Sequence, residues 1–249
     1  MRIEITLNSQ EKIALPKSYN HILQGLIYKL LDPTLRKFLH NCGYQYEKRK
    51  FKLFTFSRLI GKFKDLNTGF QFTCPIKFFI SSPKDEILQS LTEGFLRKEK
   101  LFLADNEVFI ESISVMPKPS FSKEVIIKML SPITIYSTLK KSDGSKKTYY
   151  YSPFEDEFNK LIRENLKKKY QVSFYEEIDG FDFNIEPYKV RPQDEKVILY
   201  KKPNSNSTVI KAWMGLYKLK GNPRLIEFSY DTGLGSKNSL GFGCWEVKT

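Results

Sequence analysis

The side chains best suited to chemistry fall in two places. His40 closes an apolar helical stretch (Phe38, Leu39) just before Asn41-Cys42-Gly43, where Gly43 would stop a helix. An imidazole beside cations is the kind of side chain that RNA cleavage uses as a proton donor. Lone histidines are also commonly structural, and His21, at the start of its helix, reads that way. From Lys48 to Lys64 the chain carries seven cations (Lys48, Arg49, Lys50, Lys52, Arg58, Lys62, Lys64) and no acid. Tyr44, Tyr46, Phe51, Phe54, Phe56 and Phe63 interleave with them. Flat rings beside cations suit unstacked bases along a phosphate backbone, although Phe54 and Phe56 read better as core.

The second place is the stretch Gly233-Leu-Gly235-Ser236-Lys237-Asn238-Ser239-Leu-Gly241-Phe-Gly243, with four glycines in eleven positions. Glycines permit positive φ and let backbone N–H groups approach an anion, so a concave cradle for RNA phosphate is one reading. A tight turn ahead of the last strand is the other, and the stretch alone does not choose. It is not a P-loop, since no Gly-Lys-Ser/Thr ending is present. A further basic group (Lys140, Lys141, Lys146, Lys147, Arg163, Lys167, Lys168, Lys169) reads as a solvated face.

Forty-one Lys and Arg against 28 Asp and Glu leave a net charge of +13, which favours polyanionic partners such as nucleic acid or anionic lipid. With 41% hydrophobic residues, 20 Phe and 14 Tyr, the chain can bury a substantial core. No apolar run suits a membrane-spanning helix and the N-terminus lacks a signal-peptide pattern, so a cytoplasmic protein without membrane contact is expected. Cys42, Cys74 and Cys244 are odd in number and far apart, as reduced thiols are. With only His21 and His40 besides, no zinc-site spacing exists, so chemistry without a protein-held metal or cofactor is expected.

Positioning these residues falls to a mixed α and β chain. Ile3, Ile5 and Leu7 alternate as in a half-buried strand. Ile22 to Leu31 recur at helical spacing, and Asp32-Pro33 caps and opens a short second helix. Strands are expected at 53–60 and 70–80, a helix from Ser82-Pro83 through Leu96, and strands near 100–104 and 107–116. Two prolines in 117–122 place a boundary there, giving residues 1–117 and 123–249. The second half reads as a strand at 124–136, a turn at 142–145, and a helix from about Pro153. Strands near 181–190, 196–202 and 208–219 follow, then a helix at 223–230 and a strand near 242–248. A β-α-β-β-α-β-like order in each half predicts an α+β protein of two tandem ferredoxin-like units, akin to the RNA-recognition-motif fold, ending in a glycine-rich loop.

The whole chain resembles the CRISPR-associated endoribonucleases that cut precursor CRISPR RNA within its repeats, members of the repeat-associated mysterious protein superfamily. The resemblance is carried by the N-terminal strand, Tyr19-Asn20-His21, Gln24-Gly25-Leu26-Ile27-Tyr28, Phe38-Leu39-His40, Lys52-Leu53-Phe54-Thr55-Phe56-Ser57, Leu130-Ser131-Pro132-Ile133 and the glycine segment. It implies metal-independent cleavage of repeat RNA that leaves a 2′,3′-cyclic phosphate and a 5′-hydroxyl. It also aligns Tyr28, His40 and Lys52 with a catalytic tyrosine, histidine and lysine: Tyr28 near the 2′-OH as base or orienting group, His40 protonating the 5′-oxygen, Lys52 neutralising the phosphorane. Lys48, Arg49, Lys50, Arg58 and the glycine segment would then bind RNA. Related proteins bind repeats without cutting, or serve as subunits of larger CRISPR ribonucleoproteins, so a non-catalytic binder, effector subunits as partners, and a homodimer stay open.

Overall fold

A computed structural model describes residues 1–140, 142, 144–176, 178, 180–200 and 208–248. Lys141 and Asp143 of the expected basic face and turn, and positions 201–202 of an expected strand, lie outside the described residues. In the first half the order is β1 (Arg2–Asn8), β2 (Ile13–Pro16), α1 (Asn20–Leu30), α2 (Pro33–Asn41), β3 (Tyr44–Tyr46), β4 (Arg49–Phe51), β5 (Thr55–Phe56), β6 (Ile60–Leu66), β7 (Gly69–Ser81), α3 (Asp85–Leu96), β8 (Leu101–Leu103) and β9 (Asn106–Val115). The second half contains β10 (Glu124–Met129), β11 (Tyr136–Lys140), β12 (Lys146–Tyr150), α4 (Asp156–Phe174), β13 (Phe183–Lys189), β14 (Glu195–Tyr200), β15 (Thr208–Trp213), β16 (Leu216–Gly221), α5 (Pro223–Thr232) and β17 (Trp245–Val247).

Each half builds the same antiparallel sheet. In the first, β9 and β7 flank β1, and β5 and β6 lie on the far edge of β7, since Ser81 faces Arg2 on one side and Thr55 on the other. In the second, the order β13-β16-β10-β17 places the half's first strand beside its last and third. With α1 and α3, or α4 and α5, as crossovers, both sheets have the 4-1-3-2 order of a ferredoxin-like unit. The expected tandem α+β fold is therefore present.

Two cores follow from the periodicities. Leu23, Leu26, Ile27 and Leu30 of α1 and Ile87, Leu88, Leu91 and Phe95 of α3 cover Ile3, Ile5 and Phe78 of the first sheet. Phe158, Ile162 and Leu166 of α4 and Leu225 and Ile226 of α5 cover Ile127, Ile185 and Tyr217 of the second. Full burial of such side chains contributes about 1.5–3 kcal/mol each. Phe54 and Phe56 are buried, as their assignment to the core requires.

Local backbone chemistry corrects several expected strands. The one at 53–60 shrinks to β5, because Leu53 adopts φ 53° and turns the chain out of register before Thr55. That at 124–136 ends at Met129, ahead of Pro132, and that at 208–219 breaks at Gly215, whose φ of 114° lies outside the region that L side chains hold in a strand. The helix expected from Pro153 begins at Asp156. The strand β2 and the β3–β4 hairpin had no period-2 pattern long enough to show.

Candidate active site

The site starts from two short helices. Ile27 and Leu30 anchor α1 in the core, which leaves Tyr28 half-buried on its flank, edge-on to Phe54 at 5.9 Å. Asp32 caps α2 as expected: its Oδ1 accepts from the N–H groups of Thr34 at 2.8 Å and Leu35 at 3.3 Å, and Pro33 begins the first turn. The helix closes when Cys42 and Gly43 both donate to the Phe38 carbonyl, at 2.9 and 2.8 Å. His40 thereby sits exposed in the last turn, its ring 6.4 Å from that of Tyr28 and perpendicular to it.

The β3–β4 hairpin then returns the cationic tract to the same helix end. Lys52 Nζ donates to the His40 carbonyl at 3.1 Å and Lys50 Nζ to the Asn41 carbonyl at 2.9 Å. Both ammonium groups meet the negative end of α2, where the helix leaves carbonyls unpaired. A 2.7 Å hydrogen bond between His40 Nδ1 and Asn41 Oδ1 orients the imidazole and leaves Nε2 as the nitrogen for a substrate. Burial pushes the Tyr28 phenol up to about 12, with Tyr200 adding to the effect, so Tyr28 stays neutral at working pH. Burial, and then the charge of Lys50, lower the Lys52 ammonium below the ordinary lysine range, with Cys42 opposing. A lysine so placed is a stronger proton donor toward a phosphate oxygen.

Between the halves lies a cleft of about 640 Å³ lined by Arg49, Lys50 and Lys52, by Tyr136, Ser137 and Thr138, and by Gly235 to Ser239. Tyr28 and His40 line an adjoining hollow with Arg36 and Lys37. The structure thus brings the three candidate catalytic residues, Arg49, Lys50 and the middle of the glycine segment into one region. Lys48, exposed between β3 and β4, and Arg58, stacked beside Tyr19 and Phe70, do not line the cleft.

Much of the glycine segment follows the tight-turn reading. Gly233, Leu234, Ser236, Leu240, Gly241 and Gly243 each donate their N–H to a carbonyl of the protein. All four glycines are buried at positive φ, and a Cβ on Gly243 would lie 1.9 Å from the Leu234 carbonyl oxygen. What the loop turns toward the cleft is the half-buried group Ser236, Lys237 and Ser239, with Lys237 Nζ 4.6 Å from the centre of the Tyr136 ring.

The loop's carbonyls are held from both halves. Asn20 Nδ2 donates to Leu240 and Gly241, both at 3.1 Å, Gln24 Nε2 to Ser239 at 2.9 Å, and Thr55 Oγ1 to Phe242 at 2.9 Å. From the other side, Lys169 Nζ donates to Gly233 at 2.9 Å and Gly235 at 2.8 Å. Lys169 is only 3% exposed, which corrects its assignment to a solvated face. Burial pushes its ammonium down to about 7, while the two carbonyls favour the charged form. The signal was present: Lys169 lies three residues after Leu166 and seven after Ile162, on the apolar face of α4. Its neighbours Asn165 Oδ1 and Thr232 Oγ1, under the same cleft, are buried without a hydrogen-bond partner. Among the described residues no group of three or more His, Cys, Asp or Glu gathers as a metal site, and no helix is long and apolar enough to cross a membrane.

Two ferredoxin-like units joined through a buried glycine loop, with a cationic cleft at the joint, define a tandem ferredoxin-like protein. The family described as CRISPR-associated protein Cas6, N-terminal, matches residues 14–114, and CRISPR associated protein Cas6, C-terminal, matches residues 116–247. The chain belongs to the Cas6 family of CRISPR-associated endoribonucleases. CRISPR-associated endoribonuclease Cas6 1 of Methanocaldococcus jannaschii is 34% identical over 249 residues, spanning 98% of this chain and 91% of that protein. CRISPR-associated endoribonuclease Cas6 of Pyrococcus furiosus is 29% identical over 257 residues, spanning 100% and 90%. A solved structure described as CRISPR associated protein Cas6 superposes with a TM-score of 0.80 at 31% identity, over 100% of this chain and 99% of the other.

Proposed function

We propose that the chain is an endoribonuclease that binds CRISPR repeat RNA in the cleft and cuts it, without a metal ion, by attack of a ribose 2′-OH on the adjacent phosphate. The products are a 2′,3′-cyclic phosphate and a 5′-hydroxyl. The observation that carries this reading is the convergence of three side chains: Lys52 bonded to the His40 carbonyl, the His40 ring edge-on to Tyr28, and Lys52 lining the cleft that the glycine loop walls.

In this reading His40, through Nε2, gives a proton to the leaving 5′-oxygen. Lys52 stabilises the phosphorane, and the strengthened acidity of its ammonium serves that end. A phenol held near 12 is a poor base, so Tyr28 orients the 2′-OH by a hydrogen bond, and the 2′ proton passes to solvent water as the P–O2′ bond forms and the P–O5′ bond breaks. Ser236, Lys237 and Ser239, with Arg49 and Lys50, hold the phosphates that flank the cut. The division into residues 1–117 and 123–249 gives the first half the reacting groups and the second half the loop.

The test is to incubate the purified chain with labelled repeat RNA in EDTA, beside His40→Ala. Cyclic-phosphate-ended fragments from the wild type, and an uncut complex of similar affinity from His40→Ala, are the expected result. A stable, uncut wild-type complex would show a non-catalytic binder instead.

A further inference from the structure

Phe63 is 54% exposed on β6, a strand otherwise made largely of polar and charged residues at this end. It is not a loose side chain. Its ring is 5.4 Å from both Phe70 and Phe72, and Phe70 packs edge-on to Tyr19 at 6.1 Å. The core ends at Phe72, which is buried, so Phe63 is a ring with a firm backing and an outer side turned to water.

Two cations border this cluster. Arg58 Cζ lies 5.6 Å from the Tyr19 ring centre and 6.0 Å from that of Phe70, and Lys17 Nζ lies 5.7 Å from Phe70. Lys17 is also tied to Asp65 at 2.6 Å, and Lys62 and Lys64 on either side of Phe63 add further positive charge to β6. A rigid exposed ring in a positive field is complementary to a polyanion that carries flat apolar groups, which is the chemistry of single-stranded RNA.

The cluster is also tied to the end of α1 that holds the glycine loop. Tyr19 precedes Asn20, which holds the carbonyls of Leu240 and Gly241, and the Tyr19 hydroxyl accepts the Leu59 N–H at 3.1 Å. The Arg58 N–H reaches the Leu130 carbonyl of the second half at 3.0 Å.

We propose that Phe63, backed by Phe70 and flanked by Arg58 and Lys17, is a stacking site for one unpaired nucleobase of the bound RNA, outside the cleft. The inference rests on the RNA-binding reading above. Every base has a π-face, so the site selects a position along the strand rather than a base identity.

The test uses single-stranded repeat RNA in which 2-aminopurine replaces one nucleotide at a time, with anisotropy for affinity and quenching for stacking. Wild type should quench the probe at one position by stacking on Phe63. Phe63→Ala should lose that quench and bind roughly tenfold more weakly, and Phe63→Tyr, which keeps the ring, should restore both. Affinity of Phe63→Ala within twofold of wild type overturns the proposal and leaves the endoribonuclease reading standing. Failure of the wild type to bind RNA at all overturns that reading itself. Unchanged RNA affinity with a loss of self-association in sedimentation would assign the ring to a protein contact, which also overturns the proposal.

Discussion

Lys169→Met keeps the length of a side chain while removing its charge and both of its hydrogen bonds. The carbonyls of Gly233 and Gly235 would lose their partner, at about 1–3 kcal/mol each. Against that loss, the wild type holds an amine whose proton burial expels, its pKa falling from 10.5 to about 7. In the unfolded chain the same amine keeps its proton to about pH 10.4. Across pH 7 to pH 9 the unfolded state thus binds more protons than the folded state, and wild-type stability rises with pH. The slope approaches ~1.4 kcal/mol per pH unit, so roughly 2 kcal/mol accrues over that window. Lys169→Met has no such group. It should unfold in urea near the wild-type midpoint at pH 7, where relief of the buried charge offsets the lost bonds, and fall about 2 kcal/mol behind by pH 9. Parallel pH profiles of the two proteins, followed by circular dichroism, would refute the account of a depressed, buried amine.

Tyr28→Phe should slow cleavage of saturating RNA about tenfold yet leave the shape of the pH–rate profile unchanged, since a phenol near 12 is not the titrating base; loss of the rise in rate with pH would restore the base role. Gly243→Ala sets a Cβ against the Leu234 carbonyl at a φ of 76°, so thermal unfolding should show a loss of at least ~2 kcal/mol together with loss of RNA binding. RNA affinity should fall about a thousandfold or more between about 50 and 200 mM salt if the cations around the cleft contact several phosphates, and a flat titration would contradict that contact.

The sequence made the helices of the first half readable because two independent signals agreed: the spacing of Leu23 to Leu30, and the Asp32-Pro33 cap that the structure shows bonded to Thr34 and Leu35. Tandem ferredoxin-like order was readable for the same reason, since long-range pairing only had to respect an alternation already written in each strand. The β3–β4 hairpin was not, because Tyr44–Tyr46 and Arg49–Phe51 are three-residue strands made largely of polar side chains. Yet that hairpin is what carries Lys52 back to His40. Lys169 was missed for a different reason: it ends a run of three lysines, and composition drew attention to the run while periodicity placed its last member on the buried face. In the glycine segment the residue types were legible and their use was not, because whether an N–H faces solvent or a carbonyl is decided by chain segments more than 100 positions away, such as Pro132 bonded to Gly243.

The grip on the glycine loop has an evolutionary consequence. Asn20, Gln24 and Thr55 come from one end of the sequence and Lys169 from the other half, yet all four bond to backbone carbonyls of a single eleven-residue stretch. Backbone acceptors impose no side-chain identity of their own, so Leu240 and Phe242 are free to vary as far as these bonds are concerned. The donors are not, because each is matched to a fixed loop shape. Drift in either half must therefore preserve the distance between α1 and α4, and the two ferredoxin-like units are bound to change as a pair even where they share no residue.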